Sequence, residues 1–186
     1  MGGAMTRIIG LSGSLRKASL NTALLHAAAK LLPAGTTLEI ADIHGVPLYD
    51  GDVEAAGVPA GVAALKAQVA GADALLIATP EYNHSTPGVL KNALDWMSRP
   101  PQDPPVFARR PIAIIGASPG PFGTARSQPV LLPVLRALQA RVFADAPPFY
   151  VSAAAKAFDA EGQLADAKQR EHLTAFLKAF VDFATR

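Results

Sequence analysis

One short segment of the sequence brings together several groups that can hold an anion. Residues 13–21, which we call the first loop, read GSLRKASLN and follow an apolar run at 7–11 that predicts a strand. An alanine- and leucine-rich run at 21–32 predicts a helix, whose first backbone N–H groups lack an intrahelical acceptor and attract negative charge. The sequence therefore predicts a phosphate-binding segment. Its donors would be Ser14, Arg16, Ser19, Leu20 through its backbone, and Asn21.

Simpler and rival interpretations of the first loop stay open at the level of sequence. Ser19 or Asn21 could merely cap the helix, although a cap needs one such residue and makes no use of Arg16. The segment lacks the G-x-x-x-x-G-K-[ST] pattern of P-loop nucleotide sites and the G-x-G-x-x-G dinucleotide fingerprint. Residues 10–14 come near a nucleophile elbow but lack its last glycine, which argues against a hydrolase.

A second polar loop, TPEYNHSTPG at 79–88, follows an apolar run at 74–78 that predicts a strand buried on both faces. Glu81, Tyr82 and Asn83 offer both donors and acceptors, a mixture that suits the edge of a planar heteroaromatic ring. Taken alone, this second loop could equally be a proline-rich turn. His84 has no serine or cysteine nucleophile placed with it, so the sequence gives it no defined catalytic role.

A third loop, GASPGPFGT at 116–124, follows another buried-strand run at 111–116. Its glycines have no Cβ, so the backbone can approach a ligand closely. A flexible turn between strand and helix is the simpler alternative.

The elements that must position these loops alternate between strand and helix along the whole chain. Apolar runs and alternation predict strands at 7–11, 37–41, 74–78, 111–116 and 141–144. Helical spacing and proline or glycine boundaries predict helices at 21–32, 59–69, 87–97, from the third loop to about 138, and at 165–184. Residues 42–57 and 99–110 are predicted to be connections.

Strands separated by helices indicate a parallel sheet covered on both faces. Five strands favour an α/β, flavodoxin-like three-layer sandwich with strand order 2-1-3-4-5. Ligands of such sheets bind beyond the carboxyl ends of the strands, and the three loops follow strands one, three and four. We therefore expect a single domain over 6–186 whose loops meet at one rim, preceded at 1–5 by a disordered segment or a cloning remnant.

The composition narrows the function classes that fit. The net charge is only +2 and Lys/Arg never form a run of five, so nucleic-acid binding is not favoured. The chain has no cysteine, which leaves no disulfide and no thiol nucleophile. No apolar stretch approaches the roughly 18–20 residues of a membrane span. Residues 1–4 lack signal-peptide features, so we expect a cytoplasmic protein.

Together the three loops resemble those of the NADPH-dependent FMN reductase family, a flavodoxin-like group that includes bacterial quinone, azo and chromate reductases. The resemblance covers most of the chain. It rests on GSLRKASLN at 13–21, on PEYN at 80–83 with PGVLKNALDW at 87–96, and on GAS at 116–118 with Gly120. The second block is the most specific. The connection DIHGVPLYDGD at 42–52 is also similar to that of the family.

The resemblance implies an NAD(P)H-dependent FMN oxidoreductase that passes hydride from nicotinamide through bound FMN to a small-molecule acceptor such as a quinone, azo compound, chromate or free flavin. It implies NADPH or NADH as co-substrate and a homodimer or homotetramer, with no protein nucleophile and no metal. A flavodoxin-type electron carrier without direct NAD(P)H oxidation is the alternative. By resemblance, the FMN phosphate would be held by Ser14, Arg16, Ser19, Leu20 and Asn21, and the ring and ribityl chain by Pro80, Glu81, Tyr82, Asn83, Ser118 and Gly120.

The chain departs from the family pattern at a few positions near the second and third loops. His84 replaces an aromatic residue common in quinone and chromate reductases, and Leu132 stands where a basic residue is common. Pro129 and Pro133 would confine or kink the helix after the third loop. These changes bear on nicotinamide preference, acceptor range and subunit contacts, and they leave the expected flavin site intact.

Overall fold

A computed structural model describes residues 5–102 and 104–186, and strands alternate with helices through most of this range. The strands are β1 (Thr6–Ser12), β2 (Thr36–Ala41), β3 (Ala74–Ala78), β4 (Pro111–Ala117), β5 (Arg141–Val142) and β6 (Phe149–Val151). The helices are α1 (Leu20–Leu31), α2 (Gly51–Ala56), α3 (Ala60–Ala70), α4 (Gly88–Met97), α5 (Ser127–Ala137) and α6 (Ala167–Ala184).

The strands form one parallel sheet in the order β2-β1-β3-β4-β5, which confirms the predicted order and the flavodoxin-like fold. Every residue of β3 and β4 is buried, as their unbroken apolar sequences predict for strands covered on both faces. The first and second loops leave β1 and β3, which are neighbours, and the third loop leaves β4 beside them. This arrangement brings the three loops to one rim of the sheet.

The outer position beside β4 is shared by two short strands rather than filled by one. β5 pairs with Pro111 and Ile112 of β4, and β6 pairs further along with Ile115 to Ala117. Between them the chain leaves the sheet at 143–148, a stretch that includes Pro147 and Pro148, which lack the N–H that a ladder needs. The predicted strand at 141–144 is therefore shorter, and β6 was not predicted.

Helices cover both faces of the sheet and bury a separate apolar layer on each. On one face α1 and α6 pack their leucines and phenylalanines over Ile8 and Leu76. On the other, α3, α4 and α5 pack over Ile9, Leu75 and Ile77. The inward positions predicted for the last helix are confirmed, since Leu173, Phe176, Leu177, Phe180 and Val181 are all buried.

Two predicted connections contain more structure than their sequences suggest. The stretch 42–57 includes α2, which buries none of its residues and so shows no apolar periodicity; Asp50 caps it by accepting the N–H of Asp52 at 2.8 Å. Within 99–110, Val106 and Phe107 are buried in the core although most of their neighbours are exposed. Phe107 thus fixes this segment to the core, although the prolines of the segment, taken alone, predict a surface connection.

Helix α5 runs through both of its prolines. Pro129 lies in the first turn, where an N–H would have no intrahelical acceptor, and Pro133 follows four residues later. Because Pro133 has no N–H, the helical bond that it would have donated to the carbonyl of Pro129 is missing. The predicted termination near 138 is confirmed, with Leu138 as the C-terminal cap.

The predicted N-terminal extension at 1–5 falls mostly outside the described residues, which begin at Met5. Met5 itself precedes β1 and is exposed. No helix in the described parts of the chain combines the length and the apolar character that crossing a membrane requires.

Candidate flavin site

The first loop presents donors at the N-terminus of α1. Ser19 is the N-cap, and its Oγ accepts the N–H of Thr22 at 3.2 Å, which leaves its O–H available to donate. Ser14 is buried, and its Oγ accepts the N–H of Arg16 at 3.4 Å. Within the described residues the N–H groups of Leu20 and Asn21 and the exposed Arg16 guanidinium have no acceptor. Two hydroxyls, two amides and one cation therefore remain for an anion.

The Asn21 side chain has a different task from the phosphate contact predicted for it. Its Nδ2 donates to the carbonyl of Ala117 at 2.9 Å, and its Oδ1 accepts the N–H of Ala117 at 2.9 Å. Asn21 is 2% exposed, so both bonds are shielded from water. The side chain thus ties the start of α1 to the end of β4, which leaves the backbone N–H of Asn21 and the second hydrogen of its Nδ2 without an acceptor among the described residues.

The second loop contains a tight turn at its tip. Tyr82 and Ser85 exchange two backbone hydrogen bonds of 3.0 Å, and Asn83 and His84 between them have φ of 50° and 61°. Positive φ at both central residues defines a type I′ turn, which asparagine tolerates better than most residues. The turn leaves Asn83 and Tyr82 exposed, while Pro80 is buried beside Gly13 of the first loop.

Glu81 joins the second loop to the helix that follows the third. Its Oε2 accepts the N–H of Arg126 at 2.9 Å and that of Ser127 at 3.2 Å, so the carboxylate caps the N-terminus of α5. Burial opposes ionisation, but these two N–H groups and the His84 imidazole outweigh it and hold the pKa of Glu81 below its usual value. In this structure the carboxylate is occupied by protein donors rather than turned toward the rim.

The third loop is fixed by the end of β6 and the segment that follows it. The N–H of Ser118 donates to the carbonyl of Val151 at 3.0 Å, and the carbonyl of Ser118 accepts the N–H of Ala154 at 3.0 Å. Within the loop the Oγ of Ser118 accepts the N–H of Gly120 at 3.2 Å. Ser118 and Gly120 are therefore held in one conformation by a part of the chain that the sequence did not connect with the site.

The first loop is tied to both of the others, and the second loop is tied to the helix that follows the third. Gly13 donates its N–H to the carbonyl of Ala78 at 2.8 Å, which joins the first loop to the strand end that opens the second. Asn21 joins the first loop to the third, and Glu81 joins the second to α5. The structure thus brings the predicted residues to one rim. Two of them, Asn21 and Glu81, hold neighbouring parts of the rim together.

Gln128, on α5, holds the third loop in place through a hydrogen bond to Thr124. The Nε2 of Gln128 donates to the Oγ1 of Thr124 at 2.9 Å and to the carbonyl of Phe149 at 3.0 Å. Thr124 is fully buried against Gly116, where a Cβ would lie 2.2 Å from the threonine Oγ1. The sequence did not single out Gln128, although its spacing from the buried Leu131 and Leu135 places it on the inward side of α5.

His44, in the segment that follows β2, also holds the first loop in place. The sequence did not predict this contact. One ring nitrogen lies 2.6 Å from Oδ1 of Asp42 and the other 2.9 Å from the carbonyl of Leu15. Asp42 and, next, the Leu15 carbonyl raise the pKa of His44, while the backbone N–H and ring of His44 lower the pKa of Asp42. A doubly protonated ring donates both bonds, so His44 closes a clasp between the end of β2 and the first loop.

The family-like block at 87–96 also has a structural task. Asn92 and Trp96, one helical turn apart on α4, donate to the carbonyl of Pro47 at 2.7 and 2.9 Å. Asn92 Oδ1 in turn accepts the N–H of Tyr49 at 2.8 Å. The block therefore fixes the connection after β2 against α4.

The model of the protein family described as NADPH-dependent FMN reductase matches residues 6–156. The chain belongs to this family. An NAD(P)H-dependent FMN reductase of Pseudomonas aeruginosa is 50% identical over 173 residues, which are 93% of this chain and 92% of that protein. A quinone reductase of Escherichia coli is 40% identical over 183 residues, 97% of this chain and 96% of the other.

A solved structure of similar fold supports the same assignment. It is the flavoenzyme NAD(P)H:(acceptor) oxidoreductase FerB from Paracoccus denitrificans, which is 36% identical and superposes with a TM-score of 0.88 over 97% of each chain. Membership of the NADPH-dependent FMN reductase family confirms the predicted oxidoreductase class with FMN and NAD(P)H. It favours that prediction over a flavodoxin-type electron carrier.

The donors on the first loop fit the FMN of this family. A phosphate monoester has three terminal oxygens that accept hydrogen bonds, and the loop offers the hydroxyls of Ser14 and Ser19, two helix N–H groups and the Arg16 guanidinium. Gly13 lets the first and second loops pack closely together, because a Cβ at this position would lie 3.0 Å from Pro80. The chemistry of this set suits an anion better than a neutral group.

Proposed function

We propose that this chain is an NAD(P)H-dependent FMN reductase that delivers electrons to a small quinone-type acceptor. The observation that carries the proposal is the set of unpaired donors on the first loop, at a rim where three loops of the right family pattern are tied together. A quinone-type acceptor is supported by the name of the Escherichia coli relative.

In this proposal the first loop holds the FMN phosphate. Ser14, Ser19 and Arg16 donate through their side chains, and Leu20 and Asn21 donate through the backbone N–H groups of α1. The buried hydroxyls cost little to orient, because Thr22 and Arg16 already fix their oxygens. The Arg16 guanidinium adds a charge-assisted bond at the position where the helix dipole already favours an anion.

The second and third loops flank the ring in the same proposal. Bound FMN supplies the exchange of hydride and electrons between nicotinamide and acceptor. Pro80, Tyr82 and Asn83 line the ring and ribityl chain from the second loop, and Ser118 and Gly120 approach from the third. Glu81 acts as a positioning residue, since its carboxylate holds α5 and the end of the third loop in place.

The test is direct reduction of the flavin-loaded protein. Protein reconstituted with FMN is mixed with NADPH or NADH without oxygen, and the loss of visible flavin absorbance is followed by stopped flow. Rapid bleaching, followed by recovery of the colour on adding a benzoquinone, is expected. Protein that binds FMN but is not bleached by either nicotinamide would be an electron carrier instead, and protein that stays colourless with FMN would contradict the proposed site.

We also propose that the chain acts as a homodimer through the connection after β2. Leu48 is 83% exposed, yet its neighbours are fixed, since the Pro47 carbonyl and the Tyr49 N–H are bonded to α4. A rigid, exposed leucine in a connection that also exposes Val53 is a feature of contact surfaces. Leu48→Asp should shift the sedimentation coefficient toward that of a monomer, and Ala175→Asp, on the exposed side of α6, is the matched control.

A further inference from the structure

A cavity lies at the edge of the sheet where the outer strand is interrupted. Ala113 and Ile114 of β4 fall between the residues that pair with β5 and those that pair with β6, so no strand of the described chain pairs with them on that side. The chain at 143–148 bends away from them. The gap is flanked by α5 on one face of the sheet and by α6 on the other, and it forms a cavity of about 380 Å³ that is open to solvent on one side.

The cavity is lined mainly by apolar side chains. Ile114 comes from β4, Leu132 from α5, Phe143 from the bend and Phe176 from α6, and Tyr150 closes one side. Ile114, Phe143 and Phe176 are less than a tenth exposed, whereas Leu132 is 41% exposed and stands at the mouth. None of the eleven residues predicted to bind FMN lines this cavity.

One polar group in the cavity wall lacks a partner. Gln128 is 94% buried and lines the cavity. The carbonyl of Phe149 can only accept, so the atom that contacts it must be the donor Nε2, and this fixes the orientation of the amide. Among the described residues, no donor is bonded to the remaining Oε1. The mainly apolar wall thus presents a side-chain acceptor of fixed orientation.

We propose that this cavity binds a small bicyclic aromatic compound with one hydroxyl group, which donates to Oε1 of Gln128. A cavity of about 150 Å³ holds one benzene ring, so the volume here suits two fused rings, and the aromatic rings of Phe143 and Phe176 provide edges and faces for packing. A ligand that displaces water from this acceptor without donating to it leaves Oε1 unpaired, which is unfavourable. The site therefore selects for a hydroxyl over an ether or hydrocarbon of the same shape.

The first experiment compares 2-naphthol with 2-methoxynaphthalene on the FMN-loaded protein by equilibrium dialysis. The two probes have the same ring system, but only the first can donate a hydrogen bond. We expect saturable binding of one 2-naphthol per chain, about 3- to 10-fold tighter than binding of the ether, which is the scale of one buried hydrogen bond. Equal affinity for both probes, or no saturable binding, would overturn the proposal.

The second experiment locates the bound probe with a matched pair of variants. Leu132 and Val130 lie on α5 and are 41% and 40% exposed, but only Leu132 lines the cavity. Leu132→Arg should abolish 2-naphthol binding and Val130→Arg should preserve it. Ala146→Trp, which places an indole in the cavity, should have the same effect as Leu132→Arg while keeping the charge unchanged.

Three results would contradict this location. If Leu132→Arg and Val130→Arg bind 2-naphthol equally well, the probe is elsewhere. If 2-naphthol shifts the flavin absorbance to the same extent in Leu132→Arg as in the unmodified protein, it stacks on the flavin instead. If Leu132→Arg alone changes the sedimentation coefficient without any probe, a second copy of the chain covers the cavity.

Discussion

Asn21 and Ala117 exchange two hydrogen bonds of 2.9 Å across 96 residues of sequence. The amide of a side chain at the start of α1 thereby satisfies both backbone groups of the last residue of β4. This pair sets the separation between the first and third loops, because α1 cannot move away from the sheet without exposing a buried N–H and a buried carbonyl.

Replacing Asn21 with alanine should destabilise the whole protein rather than only weaken ligand binding. Both backbone groups of Ala117 would be left buried without partners, at a cost of about 2–4 kcal/mol in the free energy of unfolding. Urea denaturation of the protein without FMN measures this loss. His26→Ala, on the exposed side of the same helix, should change the midpoint little. Equal stability of the two variants would show that the tie is dispensable.

Replacing Arg16 should have the opposite effect to replacing Asn21. It should weaken FMN binding strongly and change the stability of the protein little. Its guanidinium is exposed and has no partner among the described side chains, so Arg16→Ala removes only the bond to phosphate. We expect FMN binding to weaken by about 1.5–3 kcal/mol, the scale of a charge-assisted hydrogen bond. Fluorescence titration with FMN measures it, and the adjacent Lys17→Ala is the control. Unchanged affinity would remove Arg16 from the site.

The buried strands were the easiest part of the fold to predict. The run at 74–78 matches β3 at both ends, and 7–11 falls within β1, because strands covered on both faces are apolar throughout. By contrast, α2 buries nothing and β6 has three residues, so neither produces a periodic signal. Their positions depend on Asp50 as a cap and on pairing with β4, and pairing is not visible in local sequence.

In the candidate site, too, the features that depend on neighbouring residues could be predicted, whereas those that depend on distant residues could not. The donors of the first loop could be predicted because a strand, a polar segment and a helix follow one another directly. The roles of Asn21 and Glu81 could not, because their partners lie 96 and 45 residues away. A polar residue near a predicted ligand is equally suited to touch it or to brace the neighbouring loop. Only the placement of β4 and α5 distinguishes the two.

Glu81 gives the protein a pH dependence in the acid range. Its pKa is lowered in the folded state, so its contribution to stability is complete above the unfolded value near 4.5 and is lost as the pH falls through the lower folded value. At neutral pH, Glu81→Gln should lower the free energy of unfolding by about 1–2 kcal/mol, the scale of a helix cap. The difference should shrink below pH 4.5.

Urea denaturation of both proteins from pH 7 down to the acid limit tests this expectation. Glu171→Gln, on the exposed surface of α6, corrects for the general effect of removing one carboxylate. A difference between Glu81→Gln and the unmodified protein that stays constant through the acid range would mean that the carboxylate charge does not hold α5.

The His44 clasp predicts a second pH dependence, in the stability of the folded first loop and hence in the binding of FMN. The raised pKa of His44 makes its contribution complete below the unfolded value near 6.5 and lost as the pH rises through the folded value. The lowered pKa of Asp42 makes its contribution complete above about 3.8. The clasp should therefore hold the first loop best between these two values and release it in alkaline solution.

His44→Ala should therefore weaken FMN binding most at about pH 6 and progressively less toward pH 9. The FMN phosphate titrates in the same range, so the quantity to compare is the ratio of dissociation constants between variant and unmodified protein at each pH, which cancels that effect. His172→Ala, on the exposed surface of α6, should give a ratio near one throughout. A ratio for His44→Ala that does not change with pH would show that a charged imidazole is not what fastens the carbonyl of Leu15.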